Sequence, residues 1–298
     1  MRAGVNRAGA RMAWGEDKTM KRVWLMIAAF AALGLARPAK ADPAADLKAF
    51  QGYFQTRFPK LELKDYVNGP YNFSANDRAQ WKQILEFPPY SFAVDAGKKA
   101  FDTKFPDGAS YASCFPHGGI GIAQDYPKFD EKTGKVVTIG IAVNECRTRH
   151  GLKALSLTKG ELADIVAYMT STSDGKPIHV VIPNDKRALA AYEAGKEYFY
   201  SRRGQLNFSC ASCHVQAAGK RLRGQYLAPA LGITASFPVY RSKWGNVGTL
   251  VRRFICSFPA WPAQRGTSFR QRCFWLRAWA IEAAASASAR FAEASAFA

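Results

Sequence analysis

Two cysteines and a histidine stand within five residues, Cys210-Ala211-Ser212-Cys213-His214. This spacing is typical of c-type haem attachment, because two thiols two residues apart can add to the two vinyl groups of one haem. The imidazole that follows then faces the iron as its proximal ligand. Half of a zinc site is the alternative, but that needs a second Cys/His pair, and no histidine follows His214. We therefore predict one covalently attached haem c, bound through Cys210 and Cys213 and ligated by His214.

The ligand on the other face of the iron is unusual. An electron-carrying cytochrome c uses a downstream methionine, but all five methionines precede His214, at positions 1, 12, 20, 26 and 169. The haem region itself offers Cys256, Cys273, a lysine or an open position. A thiolate would lower the potential of the haem, which suits a catalytic haem better than a mobile carrier.

Two arginines, Arg252 and Arg253, stand just before Cys256. Cations beside a thiol lower its pKa and attract an anion, so this pair is a candidate anion site. The alternative is that the arginines bind haem propionates.

The beginning of the chain reads as an export signal. A basic start at Met20, an apolar run over residues 23–36 and a small-x-small site at 39–41 form a secretory signal peptide, with Met20 as the expected initiator. A transmembrane anchor is the alternative, but the run is too short to span a membrane. We expect a mature protein in an oxidising, periplasmic compartment, where disulfides form.

The formal net charge of +19 does not indicate nucleic-acid binding. Residues 1–41 and 257–298 together hold 13 basic but only four acidic residues, so the middle of the chain is moderately basic. No nucleic-acid motif accompanies the charge, and we expect a mostly solvated surface that suits an anionic small molecule or an acidic partner.

An internal repeat organises the middle of the chain. The segment 93–101 (AVDAGKKAF) returns as 191–199 (AYEAGKEYF), and a Ser-Cys pair follows each copy at a similar distance. The shared order of helix, loop and cysteine predicts a mainly α fold of two cytochrome-c-like domains in tandem, the first without haem and the second with one c-type haem. We expect an N-terminal extension at 42–89, a haem-less domain at 90–182 and a haem domain at 183–256.

The first copy cannot attach haem through two thioethers, because Cys114 has no second cysteine beside it. In an oxidising compartment we expect Cys114 to form a disulfide with Cys146, although two free thiols remain the alternative. Ser156 to Thr158 is expected to cap a closing helix whose apolar residues, Met169 among them, belong to the core. The other three histidines are expected at the surface: His117, His150 and His179.

From about residue 47 to residue 254 the chain resembles the A subunit of the SoxAX cytochromes, in the single-haem branch where a cysteine pair replaces the first haem. The motifs are residues 113–122 (SCFPHGGIGI), 126–130 (YPKFD), 144–147 (NECR), the haem motif and 245–254. The resemblance implies a heterodimer with a smaller SoxX-like haem subunit. It also implies an L-cysteine S-thiosulfotransferase that passes thiosulfate to a cysteine of a SoxYZ-like sulfur-carrier protein, while electrons leave through haem.

By the same resemblance, Cys256 is the distal ligand and the sulfur-bearing nucleophile, as a persulfide, and Arg252 or Arg253 holds the anion. A plain electron-transfer cytochrome is the competing function, and a haem-bearing binding subunit without activity is a third.

The sequence departs from this family after Phe254. Family members have two residues between this phenylalanine and the active cysteine, whereas here only Ile255 intervenes. Residues 257–298 then contain 13 alanines and no lysine, a biased composition. We hypothesise a frameshift near Ile255, with possible loss of activity. The alternative is a divergent tail that forms a helix through Phe274, Trp275, Ala278 and Ile281.

Overall fold

The computed structural model describes residues 41–256, and the side chains up to residue 254. The expected signal segment, Cys273 and the atypical tail lie outside the described residues, as does the side chain of Cys256. The described part is mainly α, as predicted. Its seven α-helices are α1 (Pro43–Arg57), α2 (Ala75–Ile84), α3 (Ser91–Asp102), α4 (Ile139–Arg149), α5 (Glu161–Ser171), α6 (Lys186–Tyr200) and α7 (Leu250–Cys256). None of these helices is both long and apolar enough to cross a membrane.

Three small antiparallel hairpins interrupt the helices. Each contains two strands: β1 (Lys128–Asp130) with β2 (Lys135–Val137), β3 (Arg221–Leu222) with β4 (Gln225–Tyr226), and β5 (Val239–Arg241) with β6 (Asn246–Gly248). Lys128 faces Val137 in the first hairpin, and Val239 faces Gly248 in the last. Strands this short have little intrinsic stability, so packing against the helices must hold them.

The first half of the described chain is built on the crossing of α3 and α5. A Cβ added to Gly97 would lie 1.9 Å from the backbone oxygen of Asp164, so the two helices touch at a position that only glycine can occupy. Leu162, Ile165 and Met169 of α5 are fully buried beneath this crossing. The prediction that Met169 belongs to the core is confirmed.

The start of α5 differs from the prediction. The helix begins at Glu161 after Gly160, whose φ of 77° is left-handed, and no side chain caps it. Ser156 and Thr158 instead bond each other through their hydroxyl groups, and the Thr158 carbonyl accepts a hydrogen bond from the Thr249 amide. The predicted cap is therefore wrong, because these residues help to hold the two halves of the chain together.

The order of elements in residues 91–149 recurs in residues 186–256. Each set has a long helix, a short helical turn bearing cysteine, a 3-10 turn, a hairpin and a further helix. The β1–β2 hairpin follows Tyr126-Pro127 and the β5–β6 hairpin follows Phe237-Pro238, and each of these aromatic–proline pairs has a cis peptide bond. A closing helix follows in the first set, as α5. The two copies of the sequence repeat therefore also share their order of helices, turns and hairpins.

The N-terminal segment packs on the second half rather than standing apart. Asp42 caps α1 through a hydrogen bond from the Ala45 amide. Phe54 of α1 and Tyr66 are fully buried in a core that also contains Val215, the residue after the haem motif. The Tyr66 hydroxyl donates to the Phe54 carbonyl at 2.9 Å, so the phenol is satisfied inside this core. The segment thereby supports the turn that carries the predicted haem ligands.

Candidate haem site

The haem motif begins at a reciprocally bonded serine pair. The Ser212 amide donates to the Ser209 hydroxyl and the Ser209 amide donates to the Ser212 hydroxyl, both at 3.1 Å. This arrangement resembles a capping box, which fixes the start of a helical turn. Cys210 and Cys213 sit in and beside that turn as half-buried free thiols, and burial raises the pKa of the Cys210 thiol.

His214 is oriented by a single backbone contact. Its Nδ1 lies 2.9 Å from the carbonyl oxygen of Ala228. Because a carbonyl can only accept, Nδ1 carries the proton and Nε2 carries the lone pair. Burial lowers the pKa of the imidazole, and the positive charge of Arg253 lowers it further, against the opposing effect of the Ala228 bond. A neutral imidazole with a fixed tautomer is what a metal ligand requires.

An arginine from the N-terminal helix fixes the end of the haem turn. The Arg57 guanidinium donates to the carbonyls of Val215 at 2.7 Å, of Gln216 at 2.9 Å and of Ala218 at 2.9 Å. These carbonyls close the turn that follows His214, where a helix end leaves acceptors without partners. No motif in residues 42–89 predicted a role for this segment. Arg57 is the basic residue in the last turn of α1, and its type and position gave no signal for a contact 158 residues away.

The two candidate anion-binding arginines have different surroundings. The Arg252 guanidinium lies over the Trp244 ring at 4.3 Å and donates to the Asn246 side chain, so it is held on the last hairpin. Arg253, the next residue of α7, is close enough to His214 for its charge to lower the pKa of the imidazole. The charge of Arg253 therefore acts on the haem motif, whereas Arg252 is in contact with the last hairpin.

These residues fit a c-type haem. Two unpaired thiols and a neutral imidazole with a free Nε2 stand on one turn, as the group's attachment requires. Three small buried residues belong to the core cluster against which Cys210 packs: Ala211, Ala218 and Ala230. The structure does not describe a side-chain position for Cys256, so its assignment as distal ligand and nucleophile stays a prediction.

The other predicted cysteine site is separate from this one. Cys114 and Cys146 form a disulfide that joins the turn after α3 to helix α4. The predicted pairing is therefore present, and two free thiols are excluded. Cys146 is buried in the core of the first half, where Val143 and Met169 also lie.

A cavity of about 150 Å³ lies between the two halves, and it is not the candidate site. Helix α7 lines it with Leu250, Val251 and Phe254. Among the residues that the structure describes, its lining contains neither cysteine nor histidine. The predicted haem-binding residues Cys210, Cys213 and His214 therefore do not line this cavity.

Comparisons with known proteins agree with this site. A family model described as SoxA/TsdA, cytochrome c domain, matches residues 96–178. The "L-cysteine S-thiosulfotransferase subunit SoxA" of Chlorobaculum tepidum is 49% identical over 214 residues, covering 72% of this chain and 74% of that protein. The protein of the same name from Allochromatium vinosum is 45% identical over 230 residues, covering 77% of this chain and 82% of that one.

A solved structure is also similar. "Crystal structure of SoxXA from P. pantotrophus" contains a chain that is 28% identical, with a TM-score of 0.57, and the match covers 70% of this chain and 77% of that one. The similarity therefore extends across most of the described residues. This chain belongs to the SoxA family of cytochrome c proteins.

Proposed function

We propose that this protein is the haem-bearing A subunit of a periplasmic L-cysteine S-thiosulfotransferase. It would join thiosulfate to a cysteine of a SoxYZ-like sulfur carrier. The observation that carries the proposal is the neutral, oriented His214 directly after two free thiols, with the charge of Arg253 acting on it. The names of the relatives in C. tepidum and A. vinosum support the activity.

The reaction oxidises two sulfur compounds together. One S–S bond forms between the outer sulfur of thiosulfate and the carrier cysteine, the carrier's S–H bond breaks, and one proton and two electrons are released. The haem c, when bound, supplies the redox chemistry that takes up electrons. Cys210 and Cys213 hold the group covalently, and His214 Nε2 is its ligand.

The charge of Arg253 suits an anionic substrate. Thiosulfate carries two negative charges, and a guanidinium can bind an oxyanion through two parallel hydrogen bonds. Of the two arginines, Arg253 is the one whose charge acts on His214 of the haem motif. We therefore assign anion binding to Arg253.

The repeat of elements supports two cytochrome-c-like domains in tandem. The first spans residues 90–182 and has a disulfide but no haem motif, and the second spans residues 183–256 and carries one haem. The SoxXA title of the structural relative supports a heterodimer with a SoxX-like haem subunit. The signal segment at the start of the chain supports export to the periplasm.

Three measurements on the mature holoprotein test this proposal. Intact mass should report one covalent haem together with the cleavage site and the true C-terminus. Thiosulfate should reduce the haem when a SoxX-like subunit and the carrier are supplied, and Cys256→Ser should abolish that reduction and change the absorption spectrum. Normal haem content with no thiosulfate-dependent reduction would contradict the activity. It would leave the electron-transfer cytochrome, which a His/Met-like spectrum and a high potential would support.

A further inference from the structure

The disulfide of the first half has a histidine beside it. One nitrogen of the His150 ring and the sulfur atoms of Cys114 and Cys146 all lie within 4.8 Å of one another. The local sequence explains part of this cluster, because Cys146 and His150 are four residues apart at the end of α4 and therefore share a face. His150 was predicted to lie at the surface, but only 19% of its side chain is exposed.

A carboxylate orients this histidine. His150 Nδ1 donates to Asp107 at 2.5 Å, and this bond lowers the pKa of the Asp107 carboxyl. The Phe105 ring packs against the imidazole with centroids 5.0 Å apart. Asp107 therefore fixes the orientation of the imidazole beside the two sulfur atoms.

The two sulfur atoms differ in access. Cys146 is 1% exposed and belongs to the core. Cys114 is half-buried and lies between the exposed residues Ser113 and Pro116, on a turn that an external molecule can approach. In thiol–disulfide exchange, the accessible sulfur is attacked and the buried one leaves.

We propose that the Cys114–Cys146 disulfide is a thiol–disulfide exchange site that accepts electrons from an external dithiol. A thiolate of the dithiol attacks Cys114 Sγ and forms a mixed disulfide, while the bond to Cys146 breaks. Cys146 leaves as a thiolate and takes a proton through the His150 ring, and solvent replaces that proton. The second thiolate of the dithiol then attacks the mixed disulfide and releases Cys114, which is protonated from solvent. Two electrons and two protons reach the protein, and the dithiol becomes a disulfide.

The arrangement exceeds what a purely structural cross-link needs. A structural disulfide requires buried surroundings and a suitable geometry, not a proton donor with its own carboxylate. The chain also contains a second histidine–carboxylate pair, His179 with Asp125 at 3.2 Å, with 71% of the His179 side chain exposed. Among the described residues, only His150 forms a cluster with the sulfur atoms. His179 therefore provides a matched control.

The test follows reduction of this disulfide in the holoprotein. The folded protein is treated with dithiothreitol or, in a parallel arm, with reduced thioredoxin. Thiols are trapped by alkylation at set times, and peptide mass spectrometry reports Cys114 and Cys146 separately from the other cysteines. Reduction by thioredoxin would identify protein dithiols as a source, and reduction by dithiothreitol alone would identify small dithiols. Circular dichroism confirms that each variant is folded.

We expect His150→Gln to slow reduction at least ten-fold and His179→Gln to change it less than two-fold. Imidazole in solution should restore the rate of His150→Gly, an effect that lost packing alone would not produce. Asp107 is a positioning residue, so Asp107→Asn should slow reduction of the disulfide when His150 is present. The same substitution should not slow reduction further in the His150→Gln variant. A disulfide that resists both reductants while the protein stays folded would overturn the proposal. Equal rates for His150→Gln and His179→Gln would overturn it as well.

Discussion

Replacing Arg57 by methionine is expected to destabilise the haem-bearing half of the protein. The guanidinium donates to three backbone carbonyls of the turn after His214, and methionine keeps the apolar stem but removes all three bonds. A hydrogen bond to a charged group contributes about 1.5–3 kcal/mol. Gln216 is exposed, so water can replace its bond, which leaves two bonds of about 1.5 kcal/mol each.

The expected loss is therefore about 3 kcal/mol of unfolding free energy. For a chain of this size, 1 kcal/mol shifts Tm by about 2–4 °C, so Arg57→Met should lower Tm by about 6–12 °C. Arg57→Lys retains a positive charge that can donate to one of the carbonyls. We therefore expect it to lose about half as much unfolding free energy as Arg57→Met. Circular dichroism of the holoprotein during heating measures both values.

Arg187 provides the matched control. Its guanidinium also makes several bonds, to Asp185 and to the Glu131 carbonyl, but 53% of its side chain is exposed. Exposed ion pairs contribute about 1 kcal/mol or less, so Arg187→Met should lower Tm by less than about 4 °C. If Arg57→Met shifts Tm no more than Arg187→Met does, the argument that Arg57 fixes the haem turn is refuted.

Three further predictions concern the substrate, the pH response and the helix crossing. Arg253→Gln should weaken thiosulfate binding about 10- to 100-fold, because a lost hydrogen bond to a charged group costs about 1.5–3 kcal/mol. Arg252→Gln should leave the affinity within about two-fold, and titration calorimetry measures both values. Burial raises the pKa of Tyr66 to about 12. The neutral phenol therefore contributes its full stability below pH 10, and this contribution is lost as the pH rises through 12. In urea titrations at pH 9 and 11, Tyr66→Phe should lose less unfolding free energy between the two pH values than the wild-type protein does. Gly97→Ala should lower the unfolding free energy by about 1–3 kcal/mol, because the added methyl group overpacks against α5. Gly52→Ala lies in open space within α1 and should raise the unfolding free energy by about 0.5–1 kcal/mol in the same urea assay.

Local patterns allowed much of the fold and the centre of the site to be predicted. The cysteine spacing led to His214 because the chemistry of haem attachment is contained in five residues. The apolar period of α5 led to Met169 because a helix face repeats within a few residues. The disulfide followed from the number and compartment of the remaining cysteines rather than from their geometry.

Contacts between distant segments could not be predicted in this way. Nothing in the period of α1 indicates that Arg57 binds carbonyls beyond residue 214. The Ser156–Thr158 motif has the composition of a helix cap, but the last hairpin binds there and uses the Thr158 carbonyl. His150 could be predicted only in part. Its spacing of four residues from Cys146 is visible in the sequence, but its proximity to Cys114 and Asp107 arises from the fold.

The repeat also allows positions in α7, at the end of the described chain, to be compared with positions in α4. Thr138 precedes α4 and Thr249 precedes α7 at the same place after each hairpin. Cys146 is eight residues beyond the first threonine, whereas Cys256 is seven residues beyond the second. One residue corresponds to about 100° of rotation around a helix, so position 256 does not coincide with the position of Cys146.

The missing residue is the same one by which this chain differs from its family between Phe254 and the cysteine. Inserting one glutamine after Ile255 should bring the cysteine into the register of Cys146, and we expect the variant to transfer thiosulfate faster than the present chain in the assay with carrier and SoxX-like subunit. Inserting the same residue after Gly245, in the β5–β6 turn, changes chain length without changing the spacing from Thr249 and serves as the control. If both insertions leave the rate unchanged, the helix register does not limit the activity, and the distal ligand must be sought outside α7.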